Sequence, residues 1–194
     1  MRKIVNESLF EFTGGDYGPG PMQAAPVKEK IVDVTRLSES VLAILNQQIK
    51  NELHSSQIYR GMSCWLNDAK WPAGTKLFFK YADEELTHMS KIYEYIFDRN
   101  CTAVVAVCEP VKSDFADIRE VVEASLEHEI EVTNNWEDIS SLAKDEGDNT
   151  TYEFAQWFLK EQVEEEDKFR TILEKMDLDM PKYEIDDLFD EYLK

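Results

Sequence analysis

"YADEELTHMS", residues 81–90, places two glutamates and a histidine inside a helical stretch. Tyr81, Glu85, His88 and Ile92 follow at steps of four, three and four. That is the core-facing period of an α-helix. A carboxylate and an imidazole therefore stand where leucine is expected, and burying an unpaired carboxylate is costly. The fold depends on what meets Glu85 and His88.

Outward from this stretch, the chain reads as a tail followed by helices. Residues 13–26, "TGGDYGPGPMQAAP", hold four of the seven glycines and three of the six prolines, the composition of a flexible linker. It follows a short amphipathic opening (Ile4, Val5, Leu9, Phe10, Phe12), readable as a docking peptide or as a segment lying on its own subunit. Residues 1–35 are thus expected to be a flexible N-terminal extension, and residues 36–194 the folded domain.

Beyond it, glycine and proline are scarce, which favours long helices. A first helix is predicted from near Ser38 to about Asn67, and a second from Pro72 to about Arg99. A third starts at Asp117, where "DIRE" has capping-box form, and a fourth at Thr150, where "TTYE" does the same. The fourth ends near Met176. A short fifth, "YEIDDLFDEYL", follows Pro181, and its stripe of Ile185, Leu188, Phe189 and Tyr192 has no obvious place on a single bundle.

The links set the topology. Short ones join the first helix to the second and the third to the fourth, making antiparallel neighbours. "NCTAVVAVCEPVKSDFA", residues 100–116, is longer. Extended at ~3.3 Å per residue it spans ~55 Å, more than the ~42 Å of a 28-residue helix. The second and third helices can therefore run parallel. The expected fold is all-α, a four-helix bundle with one long crossover and a short fifth helix. A β pairing of "AVVAV" is the alternative for the crossover.

Each long helix breaks its apolar stripe near its middle. The first offers Glu52, the second Glu85 and His88, the third Glu129, the fourth Gln162 and Glu165. Four carboxylates in one buried layer would force protonation unless cations neutralise them. Oxygen ligands with one imidazole suit iron or manganese better than zinc.

The net charge of −19 argues against nucleic acid and an anionic membrane surface, and fits a cationic partner. Three cysteines cannot all pair, which suggests a reducing compartment, and no secretory or membrane-spanning stretch is legible. A cytoplasmic location is expected.

The motifs "LNQQIKNELHSSQIYRGMSCW", "FFKYADEELTHMSKIYEY", "LEHEIEVTNNW" and "FAQWFLKEQVEEEDKF" resemble, in order, the four helices of the ferritin family, especially bacterial non-haem ferritins. "YEIDDLF" resembles its fifth helix, which lines the fourfold channel. The resemblance spans about residues 38–193 and departs in the N-terminal extension. It implies a ferroxidase that oxidises Fe(II) with dioxygen or hydrogen peroxide and stores the mineral in a hollow homo-oligomer of twenty-four subunits.

By position, the resemblance puts Glu52, Glu85 and His88 around one iron. Glu85, Glu129 and Glu165 surround the second, Glu85 bridges, and Gln162 is the outer partner. Tyr59 and Trp157 match the aromatic residues beside the centre. Glu84, Glu161 and Glu164, with Glu165, match a third, weaker iron site, though a solvated glutamate-rich helix face has the same sequence. The fourth helix carries Gln162-x-x-Glu165 where bacterioferritins carry Glu-x-x-His, so the two iron positions are expected to differ in affinity. Met62 is read as core, and no haem is expected. The alternatives are a non-catalytic bundle that docks through its tail, and a Dps- or rubrerythrin-like peroxide scavenger.

Overall fold

The structure, a computed structural model, describes residues 37–178 and 180–193. The expected N-terminal extension, including the segment readable as a docking peptide, lies outside the described residues. Five helices follow in order: α1 (Glu39–Asp68), α2 (Pro72–Asp98), α3 (Ile118–Asp145), α4 (Asn149–Met176) and α5 (Lys182–Glu191). No strand occurs among the described residues, so the β alternative for the crossover is not adopted.

Local chemistry sets the boundaries. Ser38 caps α1 by accepting from the Val41 amide at 3.1 Å. Asp117 caps α3 by accepting from the Glu120 amide at 3.0 Å. The expected Thr150 box fails: the cap of α4 is Asp148, which accepts from the Thr151 amide and hydroxyl. Asp148 also takes an ion pair from Arg99 at the end of α2, which favours it over Thr150 as the start of the helix.

α1, α2 and α3 end alike. Lys70, Asn100 and Gly147 adopt left-handed φ of 65°, 56° and 73°. The next amide in each case, Trp71, Cys101 or Asp148, then reaches back to Leu66, Ile96 or Ala143. These are paired Schellman closures, which satisfy the last carbonyls of each helix.

The core forms two apolar clusters. One gathers Tyr59, Met62, Leu66, Phe78, Tyr81, Val122, Phe169 and Ile172. The other gathers Val41, Leu45, Ile49, Ile92, Ile96, Val132, Trp136 and Phe158. Along the sequence, α1 and α4 run from the second cluster to the first, while α2 and α3 both run from the first to the second. α2 and α3 are therefore parallel, and the segment between them crosses the length of the bundle. Ala103 and Ala106 pack at one end of this segment and Phe115 is buried at the other. It lies close on α1: a Cβ at Gly61 would fall 2.7 Å from the Lys112 carbonyl oxygen.

α5 corrects one expectation. Its apolar stripe does have a place on its own bundle: Ile185, Leu188 and Phe189 are buried in the first cluster. Phe189 meets Trp71 and Phe78 edge-on at 6.3 and 6.2 Å. The N-cap residue of α2, Trp71, makes no side-chain cap. Asp186 of α5 supplies one from across the chain, accepting from the Ala73 and Gly74 amides at 3.1 Å each. A ten-residue helix is too short to persist alone. Three buried side chains at roughly 1.5–3 kcal/mol each hold it in place.

Candidate metal centre

Between the two clusters lies a polar layer, because each long helix substitutes polar residues there without losing its inward register. Glu52, Glu85, Glu129 and Gln162 are all buried. His88 and Glu165 are partly buried. Of the residues read from the sequence as one constellation, three come within the reach of a single cation. Glu52, Glu85 and His88 each offer a ligand atom, and these atoms lie within 4.8 Å of one another. Ligands of one cation at roughly 2.0–2.4 Å can be no more than about 4.8 Å apart.

The α1 and α2 side of the layer is short of donors. His88 Nδ1 is 3.3 Å from Glu85 Oε2 and 4.0 Å from Glu52 Oε2. Gln48 donates to Glu52 Oε1 at 2.9 Å, but Glu52 Oε2 is buried with no hydrogen-bond partner. Burial, and then the neighbouring Glu85, push the Glu52 carboxyl well above its ordinary 4.5. Burial, and then Glu129, do the same to Glu85. Crowded acids with an orphaned oxygen are the environment a cation relieves. The donor set of hard oxygens and one imidazole fits iron or manganese.

The α3 and α4 side is supplied with donors. Glu129 takes a very short hydrogen bond from the Tyr59 hydroxyl and one of 2.7 Å from the Gln162 amide. Burial still raises its carboxyl, against the pull of these two donors. Glu165 accepts from Lys168 Nζ at 2.7 Å. Glu129 and Glu165 lie outside the group of three.

The remaining candidates are dispersed. Glu84 is half-exposed and 3.9 Å from Lys80, Glu161 is partly buried, and Glu164 is exposed. No metal-ligating group of three forms among them within the described residues. Trp157 stands edge-on to His88 at 6.0 Å, with Lys91 Nζ 3.3 Å from its ring centroid.

Two neighbours were not singled out by sequence. Lys168 has the i,i+3 spacing to Glu165 that favours an ion pair, so a signal was present. His128 donates to or accepts from Ser55 Oγ at 2.9 Å and meets the Tyr59 ring edge-on at 5.8 Å. Burial drives its pKa down to about 4, so it is neutral and adds no charge to the layer. Its position immediately before Glu129 puts it off the apolar stripe, where the sequence gives it no distinction.

A four-helix bundle with one long crossover and a carboxylate and imidazole layer across its middle defines a class of metal-handling helical proteins. A sequence model of the ferritin-like domain family matches residues 42–178, and the chain belongs to this family. It is 33% identical over 140 residues to a probable bacterial non-heme ferritin-like protein of Haemophilus influenzae, covering 72% of this chain and 85% of that one. It is 36% identical over 135 residues to a bacterial non-heme ferritin of Staphylococcus epidermidis, covering 70% and 81%. Among solved structures, an open-pore ferritin from the hyperthermophilic archaeon Archaeoglobus fulgidus matches with a TM-score of 0.76 at 29% identity, over 80% of this chain and 96% of that one. No described helix is long and apolar enough to cross a membrane.

Proposed function

We propose that this chain is a cytoplasmic iron-storage ferritin with ferroxidase activity. Fe(II), as substrate, enters the polar layer, is oxidised there, and is deposited as ferric mineral inside a hollow shell of identical subunits, twenty-four in number. The observation that carries the reading is the group of buried Glu52 and Glu85 with partly buried His88, with its donor-less carboxylate oxygen, in a ferritin-like bundle.

In this reading Glu52, Glu85 and His88 hold the first iron. Glu85, Glu129 and Glu165 hold the second, and Glu85 is shared. Gln162 positions Glu129, to which it already donates. Two Fe(II) each give one electron to dioxygen, which leaves as hydrogen peroxide after taking two protons; with peroxide as oxidant, the same two electrons yield water. Anionic oxygen ligands favour the higher charge of Fe(III). In the same reading Tyr59 and Trp157 serve as auxiliary electron donors, and Glu84, Glu161 and Glu164 with Glu165 form a weaker third site. All these candidate ligands belong to one subunit, which supports a ferritin over a Dps-like scavenger with its site between subunits.

The test is aerobic Fe(II) titration with particle size measured in parallel. The expected result is rapid oxidation of about two irons per subunit, followed by slower mineral growth in a large closed oligomer. Oxidation no faster than in buffer overturns the activity, and a monomer or dimer in light scattering overturns the shell.

A further inference from the structure

The α3 and α4 side of the layer already contains a cation. Lys168 lies one helical turn beyond Glu164 and Glu165 on α4, so all three share a face. Its ammonium is 2.7 Å from Glu165 Oε1 and 5.7 Å from the centre of the Tyr81 ring. The Tyr81 hydroxyl is buried there with no hydrogen-bond partner. Glu84, from α2, and Glu164 both stand near enough to act on the ammonium charge. Lys168 is only partly exposed, and its long stem gives the charge a way out to solvent.

We propose that Lys168 is a resident cation of the centre, holding Glu165 until a second divalent cation displaces it, and so sets the affinity of the second metal position. The inference rests on the two-cation reading above. While the ammonium holds Glu165 Oε1, it neutralises much of the negative charge that a metal on this carboxylate would use. An incoming cation must also approach against the Lys168 charge. Loading is therefore sequential: the Glu52, Glu85 and His88 group, with which no lysine is paired among the described residues, fills first, and the position that needs Glu165 fills second. Lys168 is a positioning residue, acting through Glu165 rather than on iron.

The experiment uses the full assembled chain and Mn²⁺, a redox-inert cation that prefers oxygen ligands. Binding is counted by loss of the free Mn²⁺ paramagnetic resonance signal and by calorimetry. Glu85→Ala supplies the background from the many surface carboxylates. Wild type is expected to bind two core cations per subunit, the second about tenfold or more weakly than the first. Lys168→Met is expected to tighten the second by about tenfold, close to the worth of a partly buried charge pair. Lys168→Arg keeps the charge and is expected to retain the weak second step. Lys168→Gln replaces the methionine variant should that one fail to assemble. An unchanged second affinity in Lys168→Met, or Lys168→Arg matching Lys168→Met, overturns the role of Lys168 while leaving the metal centre intact. Wild-type binding in Glu85→Ala overturns the two-cation reading, and this inference with it.

Discussion

Glu52 and Glu129 are both nearly inaccessible, at 1% and 2% exposure, yet the chain treats them differently. Glu129 has a donor for each oxygen, from Tyr59 and Gln162. Glu52 has Gln48 on one oxygen and no donor on the other, only the neighbouring Glu85 carboxyl, with which it can share a proton. A satisfied buried carboxylate is part of the fold, because removing it strands its donors. An orphaned one opposes the fold and persists because something else uses it. One half of the layer is therefore built like a hydrogen-bonded core, and the other like a receptor for a positive charge.

The largest expected effect breaks the receptor half. Glu85→Ala should slow the rapid phase of Fe(II) oxidation by at least about 100-fold in stopped flow, more than the loss typical for groups that only orient a ligand. In metal-free protein the same variant should melt no lower than wild type, since it relieves crowding among acids. Fe(II) under anaerobic conditions should raise the melting temperature of wild type more than that of Glu85→Ala.

The two halves should also differ in the sign of their stability effects. Glu129→Ala leaves the Tyr59 hydroxyl without its acceptor and the Gln162 amide with only the residue 129 carbonyl at 3.3 Å, and should cost about 2–3 kcal/mol in denaturant unfolding of metal-free protein. Glu52→Gln removes a carboxyl that had little support, and should cost nothing at neutral pH. Equal losses in both variants would erase the distinction. Tyr59→Phe removes one donor from Glu129 and should cost about 1 kcal/mol, with the two-iron stoichiometry retained.

A pH series sharpens the comparison further. Burial raises the folded-state pKa of Glu52 above the ordinary 4.5. Between 4.5 and that raised value the folded chain binds more protons than the unfolded chain, so this group's contribution to stability falls as pH rises. Metal-free wild type should lose stability relative to Glu52→Gln as pH climbs from about 5 toward neutrality. Cation binding should run the other way, weakening as pH falls because protons compete for the same oxygens.

Much of this was legible in the sequence. The helices, their order, the long crossover and the layer positions follow from hydrophobic period and link length, because each inward stripe of 3.6-residue repeat must find the core. Which carboxylates would be satisfied was not legible. That depends on side-chain partners across helices, such as Tyr59 of α1 reaching Glu129 of α3. Lys168 has the right spacing for an ion pair with Glu165, but spacing alone does not show that the pair reaches the edge of the buried layer. α5 was misjudged for a similar reason: its amphipathic pattern shows that it needs a partner, but Asp186 capping α2 and Phe189 against Trp71 are contacts over more than 100 residues of sequence. The Thr150 box failed because Asp148, two residues earlier, had the better acceptor and an arginine to hold it.

The most direct measurement is anomalous X-ray diffraction at the iron edge from crystals soaked anaerobically with Fe(II). The account predicts the strongest peak in the polar layer, in bonding contact with Glu52, Glu85 and His88, and a second, weaker peak shared between Glu85, Glu129 and Glu165. Iron found only at the exposed glutamates of α4, with the layer empty, would contradict it.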